Sequence, residues 1–267
     1  MREIRLYDSL TRQLVPVSAG DAIRVEVRAS PTGSDGGVEV GSTRPLVLFS
    51  FLERFLQREG FGTKFLFDSP TGEDMLYELS DELEPLSEPD PGAELDGEQD
   101  GEHDIEMSLL EVPRSDVDRW VNVCFGAGRD GEEWEPPPPS ERILLSDALK
   151  HFGHPAVALY LLGTHYSLPL GDASAGLVTG SKNALRIREA AGRLVPDQPS
   201  PPDMRHYMEA FRDALADDLD TPLAFVVMFE WVLEAERRGG EVGDNDLRVM
   251  LEVLELDGLA PPVAGAR

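Results

Sequence analysis

The sequence predicts an α/β half followed by an all-helical half, on three observations. Strand-like runs alternate with one helical run up to about residue 145. Beyond that point the apolar spacing is helical almost throughout. Within the first half lie stretches too rich in acid, glycine and proline for regular structure.

In chain order, Ile4–Tyr7 and Ile23–Val27 read as short strands, the second alternating through Ile23, Val25 and Val27. Pro45–Glu59 carries Leu48, Phe49, Leu52, Phe55 and Leu56 on one helical face, and Gly60 supplies the stop. Lys64–Phe67 reads as the next strand, which makes a strand–helix–strand unit of the kind that begins a parallel sheet. An acidic loop is expected near 75–103, its stretch 87–102 read as a mobile insertion. Strands return at Ile105–Val112 and Trp120–Phe125, before a loop ending in Pro136–Pro139 that suits neither helix nor central strand.

The helical half opens at Ser146 and Asp147, expected to cap a helix running to about Phe152. His154-Pro155, with His154 as cap, opens a second helix that reaches Leu162. Further helices are expected at Ala173–Leu194, Asp203–Ala216, Pro222–Arg238 and Asp244–Glu255. The stretch Asp217-Asp218-Leu219-Asp220-Thr221-Pro222 marks a helix start, capped by Asp220 or Thr221.

Composition limits function. With 267 residues and 41% hydrophobic content the chain can bury a core, and it has no apolar run of membrane-spanning length. The N-terminus lacks an apolar signal segment, and a cytoplasmic protein is the expectation. Cys124 is the single cysteine, which excludes an internal disulfide and a multi-cysteine zinc site. It sits between Val123 and Phe125, as a small buried hydrophobe would. Asp plus Glu number 51 against 24 Lys plus Arg, a net charge of −27, so nucleic acid is an unfavoured partner. Fifteen of the acids fall between Glu73 and Glu106, a stretch without Lys or Arg. The most basic helix carries Lys182, Arg186, Arg188 and Arg193, with Lys182, Arg186 and Arg193 on one face.

Several stretches carry a family resemblance. Leu6-Tyr7-Asp8-Ser9-Leu10-Thr11-Arg12, Ala19-Gly20-Asp21, the run from Arg54-Phe55-Leu56 through Gly60-Phe61 to Lys64-Phe65, and Asp147-Ala148-Leu149-Lys150 are four of them. Leu161-Leu162-Gly163-Thr164-His165-Tyr166 and Asp217-Asp218-Leu219-Asp220-Thr221-Pro222-Leu223-Ala224 complete the set. In this order they resemble a truncated, degenerate cysteinyl-tRNA synthetase of class I, over about residues 1–74 and 118–257. The resemblance implies a reduced Rossmann-like nucleotide-binding domain at 1–145 and a helical bundle at 146–267.

The departures from the family decide the functional expectation. Its His-Ile-Gly-His turn, which holds ATP at a helix N-terminus, aligns with Glu39-Val40-Gly41-Ser42. Both imidazoles are replaced, and only Gly41 and the following Arg44 match the pattern. The family's lysine-bearing Lys-Met-Ser-Lys-Ser loop falls on Trp134-Glu135-Pro136-Pro137-Pro138, with no lysine between Lys64 and Lys150. The proline run reads as a rigid spacer near 134–139. The first zinc ligand aligns with Val27, the His/Glu ligand segment has no counterpart, and no metal is expected.

The expectation is therefore a pseudoenzyme with no catalytic residues and no cofactor, acting as a binding or regulatory module for a protein or small molecule. A remnant pocket would be lined by Gly41, Arg44, Trp120 and Asn122. An ATP-dependent cysteine ligase with a rebuilt site is the alternative, and a tRNA-binding accessory factor is a second.

Overall fold

Helices form where apolar residues recur every three or four positions, and the segments that meet this condition are helical in the computed structural model. The structure describes residues 3–9, 11–17, 22–26, 38–60, 64–67, 104–108, 119–122, 142–239 and 242–260. The acidic segment, the proline run, Val27 and Cys124 lie outside the described residues. What is described is mostly helical, and none of its helices is long and apolar enough to cross a membrane.

β1 (Arg5–Asp8) and β2 (Gln13–Pro16) form an antiparallel pair, in register from Arg5↔Pro16 to Asp8↔Gln13. Leu6 of β1 is buried, whereas Leu14 of β2 is exposed. β2 is absent from the sequence reading because Gln-Leu-Val-Pro has no alternation and ends in proline. It is held as a strand by its partner rather than by its own pattern.

A second set of strands comprises β3 (Ala22–Glu26), β4 (Lys64–Phe67), β5 (Asp104–Ser108) and β6 (Arg119–Asn122). They lie in the order β4-β3-β5-β6, with neighbouring strands parallel. β1 stands outside this ladder.

Between β3 and β4 runs α1 (Arg44–Glu59), which buries Val47, Leu48, Phe51, Leu52, Phe55 and Leu56. It stops where Gly60 takes φ 83°, a left-handed conformation that lets its N–H close on the carbonyls of Leu56 and Gln57. Burying each large side chain on this face contributes about 1.5–3 kcal/mol.

The remaining helices are α2 (Leu145–Phe152), α3 (His154–Leu162), α4 (Ala173–Ala191), α5 (Arg205–Ala216), α6 (Thr221–Arg238) and α7 (Asn245–Val253). Two expected caps are corrected. α2 begins a residue before Ser146, its cap position is Leu144, and no side chain caps it. Asp147 instead sits in the first turn, where a carboxylate favours the helix dipole. At α3 the cap is Gly153, with φ 77°, and His154 is the first helical residue and buried. A histidine facing the core cannot also turn back to cap its own helix.

α3 is apolar all round, with eight of its nine residues buried. It packs against α4 at close range. A Cβ on Gly180 would meet the Ala156 backbone, with the carbonyl carbon only 3.2 Å away, and one on Gly176 would meet the Tyr160 ring. A single apolar cluster joins Ile4, Leu6 and the buried face of α1 to Trp231, Met228, Phe211 and Leu251 of the helical half. α1 is thus packed into the core of the helices that follow residue 145.

Candidate functional site

The turn that leads into α1 holds two of the four candidate pocket residues, Gly41 and Arg44. Val40–Thr43 form one turn of 3-10 helix, and all four residues are buried. The chain just before it is stitched to residues 143–145. Val40 N–H donates to the Ile143 carbonyl (2.9 Å), Leu145 N–H donates to that of Val38 (2.8 Å), and Glu39 bridges Leu144 antiparallel. The hydroxyls turn inward as well. Ser42 Oγ donates to the Glu39 carbonyl and Thr43 Oγ1 to the Val40 carbonyl, each at 2.7 Å.

Glu39 is buried, and desolvation pushes its carboxyl pKa up. The Arg142 guanidinium, 4.0 Å away, acts in the opposite direction and is the smaller influence. Burial likewise raises the Tyr160 hydroxyl to about 12, against a lowering influence from Arg44.

Arg44 is fully buried and reaches across to the loop after α3. Its Nε donates to the Leu161 carbonyl (3.2 Å), one terminal nitrogen to that of Leu168 (2.7 Å), and the other to those of Thr164 and His165 (2.7 Å for His165). Carbonyls at a helix C-terminus have no intrahelical donors, so a planar five-donor cation satisfies several at once. Gly41 and Arg44 are therefore contiguous in one buried turn. Trp120 and Asn122 lie on β6, opposite Glu106 and Ser108 of β5.

A second polar centre forms where three of the resemblance-bearing stretches meet. Asp218 accepts the Tyr7 N–H of β1 (2.6 Å) and the Tyr166 hydroxyl on the same carboxylate oxygen. Its own N–H donates to the Arg5 carbonyl (2.9 Å). His165 Nε2 lies 2.9 Å from the Asp218 carbonyl, which can only accept, so Nε2 carries the proton and Nδ1 accepts from Ser167 Oγ at 2.7 Å. Asp218 and Leu219 both take left-handed φ, 62° and 52°, an unfavourable pair that these bonds hold in place. Thr221 Oγ1 then donates to the Leu162 carbonyl (2.6 Å), and Asp220 caps α6 by accepting from Leu223 N–H (3.0 Å).

The far end of α1 is held by charge. Ser50 and Arg54 converge on the buried Glu255, with Arg54 Nε at 3.4 Å, and Arg212 of α5 donates to Glu59 at 2.6 Å. None of these partnerships is visible in sequence, because the residues lie some 150 to 205 positions apart.

The expected basic stripe on α4 divides. Arg186 and Arg193 both approach Glu236 of α6, at 3.9 and 3.4 Å, while Lys182 does not join them. Among the described residues, no three His, Cys, Asp or Glu side chains gather into a metal-holding group.

Comparison with known proteins places part of this chain beside the ligases that charge tRNA. The relatives are cysteine--tRNA ligases. That of Thermosipho africanus (strain TCF52B) is 30% identical over 110 residues, 39% of this chain and 24% of the relative. That of Pseudothermotoga lettingae is 31% identical over 111 residues, with the same coverage, and that of Fervidobacterium nodosum 27% over 109 residues, covering 23% of the relative. The chain thus spans about a quarter of the length of the relatives it matches. No family profile matches it.

Proposed function

We propose that this chain is a relative of cysteine--tRNA ligases that does not activate amino acids and acts instead by binding a protein or a small molecule. On this reading residues 1–145 are a reduced Rossmann-like domain, with β4-β3-β5-β6 as its sheet, and residues 146–267 are a helical bundle. Ligands of such sheets bind at the carboxyl ends of the strands where the order reverses. Here that is the edge between β3 and β5, where Glu26 and Ser108 are paired. Of the four candidates, Trp120 and Asn122 of β6 are assigned to the remaining pocket, since Gly41 and Arg44 are buried in the turn at 39–44.

The observation that carries the reading is the turn at 39–44. An ATP-binding turn needs open backbone N–H groups and imidazoles facing the phosphates. In this chain the turn is buried, its hydroxyls are bonded to its own carbonyls, and a carboxyl stands where the first imidazole would be. Arg44, the surviving cation, is spent on four backbone carbonyls.

The test is cysteine-dependent exchange of labelled pyrophosphate into ATP. Exchange no faster than an enzyme-free blank is expected. A rate clearly above the blank overturns the reading and favours an ATP-dependent cysteine ligase.

A further inference from the structure

A crevice of about 440 Å³ opens between the α2–α3 corner and α4, away from the turn at 39–44. Phe152, Gly153 and Pro155 form one wall; Ala184 and Leu185, flanked by Lys182 and Arg188, form the other. Among the described residues no carboxylate lines it, on a chain with 51 acids and 24 Lys plus Arg.

Most of the described arginines are paired with carboxylates. Arg142, Arg186, Arg193, Arg212, Arg237, Arg238 and Arg248 each have a carboxylate partner. Lys182 and Arg188 have none among the described residues, and both border the same crevice. The apolar side chain between them, Leu185, is 54% exposed, the largest exposure of any large hydrophobic among the described residues. Two unpaired cations and an uncovered apolar floor form a surface complementary to an acidic, apolar ligand.

We propose that this crevice binds a short extended peptide segment of a protein partner, with two acidic residues three positions apart and an apolar side chain between them. Six residues separate Lys182 from Arg188, about 9 Å along the helix axis. In a polyproline II conformation, which has three residues per turn, residues three apart share a face and lie about 9 Å apart, which brings one carboxylate to each cation. The intervening apolar side chain settles against Leu185, Phe152 and Pro155. A diphosphate would leave the apolar surface of Leu185, Phe152 and Pro155 uncovered. A longer polyphosphate would run on beyond them into a surface of net negative charge, and the neighbouring Arg186 and Arg193 are already occupied by Glu236. The inference stands apart from the loss of amino-acid activation, since it concerns a different surface.

The experiment is an amide chemical-shift titration of the full chain with an acetylated, amidated tetrapeptide of glutamate, leucine, phenylalanine and glutamate. Saturable shifts are expected at residues 152–155 and 181–188, with no change when lysines replace the glutamates. The double variant Lys182→Glu/Arg188→Glu should weaken binding at least about tenfold, as reversal of two exposed pairs predicts. Both side chains are exposed, so the variant's spectrum elsewhere should match the parent and show that the fold is retained. Absent shifts, shifts that survive the double variant, or tighter binding of pyrophosphate or an oligonucleotide at the same residues would each overturn the proposal.

Discussion

Two helices of this protein begin in the same way and are held by groups of opposite charge. α1 and α6 each have proline in the first turn, and each enters from a turn that ties the N-terminal half to the helical half. The turn before α6 uses its acidic stretch as a joint: Asp218 holds β1 and Tyr166, and Asp220 caps the helix. The turn before α1 is a joint as well, made with a cation. Arg44 stands at a helix N-terminus, where the dipole disfavours positive charge, and is held there by carbonyls of the loop after α3. The comparison teaches that the same kind of joint can be built from a carboxylate that gathers donors or from a guanidinium that gathers carbonyls.

The largest test of this comparison is at Arg44. Arg44→Met removes the donors but keeps much of the volume, leaving buried carbonyls without partners, and should destabilise the chain by roughly 3–5 kcal/mol in urea unfolding. Arg44→Lys should recover only part of that loss, because a single ammonium cannot reproduce the planar fork. A loss below about 1 kcal/mol for Arg44→Met would mean that the cation is not a joint.

The Asp218 centre should respond less. Asp218→Asn keeps an acceptor and loses the charge, an expected cost of about 1–2 kcal/mol, and Tyr166→Phe should cost about 1 kcal/mol. A double-mutant cycle should then show coupling, since both residues share one hydrogen bond. Additive losses would separate them.

The smallest effects are in pH dependence, and they have opposite signs. Burial raises the Glu39 carboxyl, so the stability it contributes is present at acid pH and lost as pH rises through the raised value. Glu39→Gln should therefore raise Tm by about 2 °C at neutral pH and change it little in acid. The bond to Arg238 lowers both Asp203 and Glu234, so their contribution is present above the ordinary carboxylate range and is lost as pH falls through the lowered values. Arg238→Gln should lower Tm at neutral pH, with the difference fading in strong acid. Thermal unfolding followed across pH checks both signs in one series.

Local signals were legible in the sequence and long-range ones were not. Gly60 ends α1, Pro155 lies in the first turn of α3, and Asp220 caps α6, because each of these depends on neighbours within four residues. β2 was missed because its register comes from β1 rather than from its own pattern. Arg44 is a pocket candidate by its motif position alone. Its bonds run to carbonyls 117 to 124 residues away, which no local spacing encodes. The same holds for Ser50 and Glu255, 205 residues apart. The basic stripe on α4 was legible as a periodicity, but its division by Glu236 required the packing of α6.

The central proposal, that the turn at 39–44 is structural and does not receive ATP, is tested most directly by equilibrium dialysis of labelled ATP with magnesium against the full chain. The account predicts no saturable binding up to millimolar ATP, for the parent and for Gly41→Ala alike. Saturable binding in the parent that Gly41→Ala weakens would contradict it and return the turn to its nucleotide-binding role.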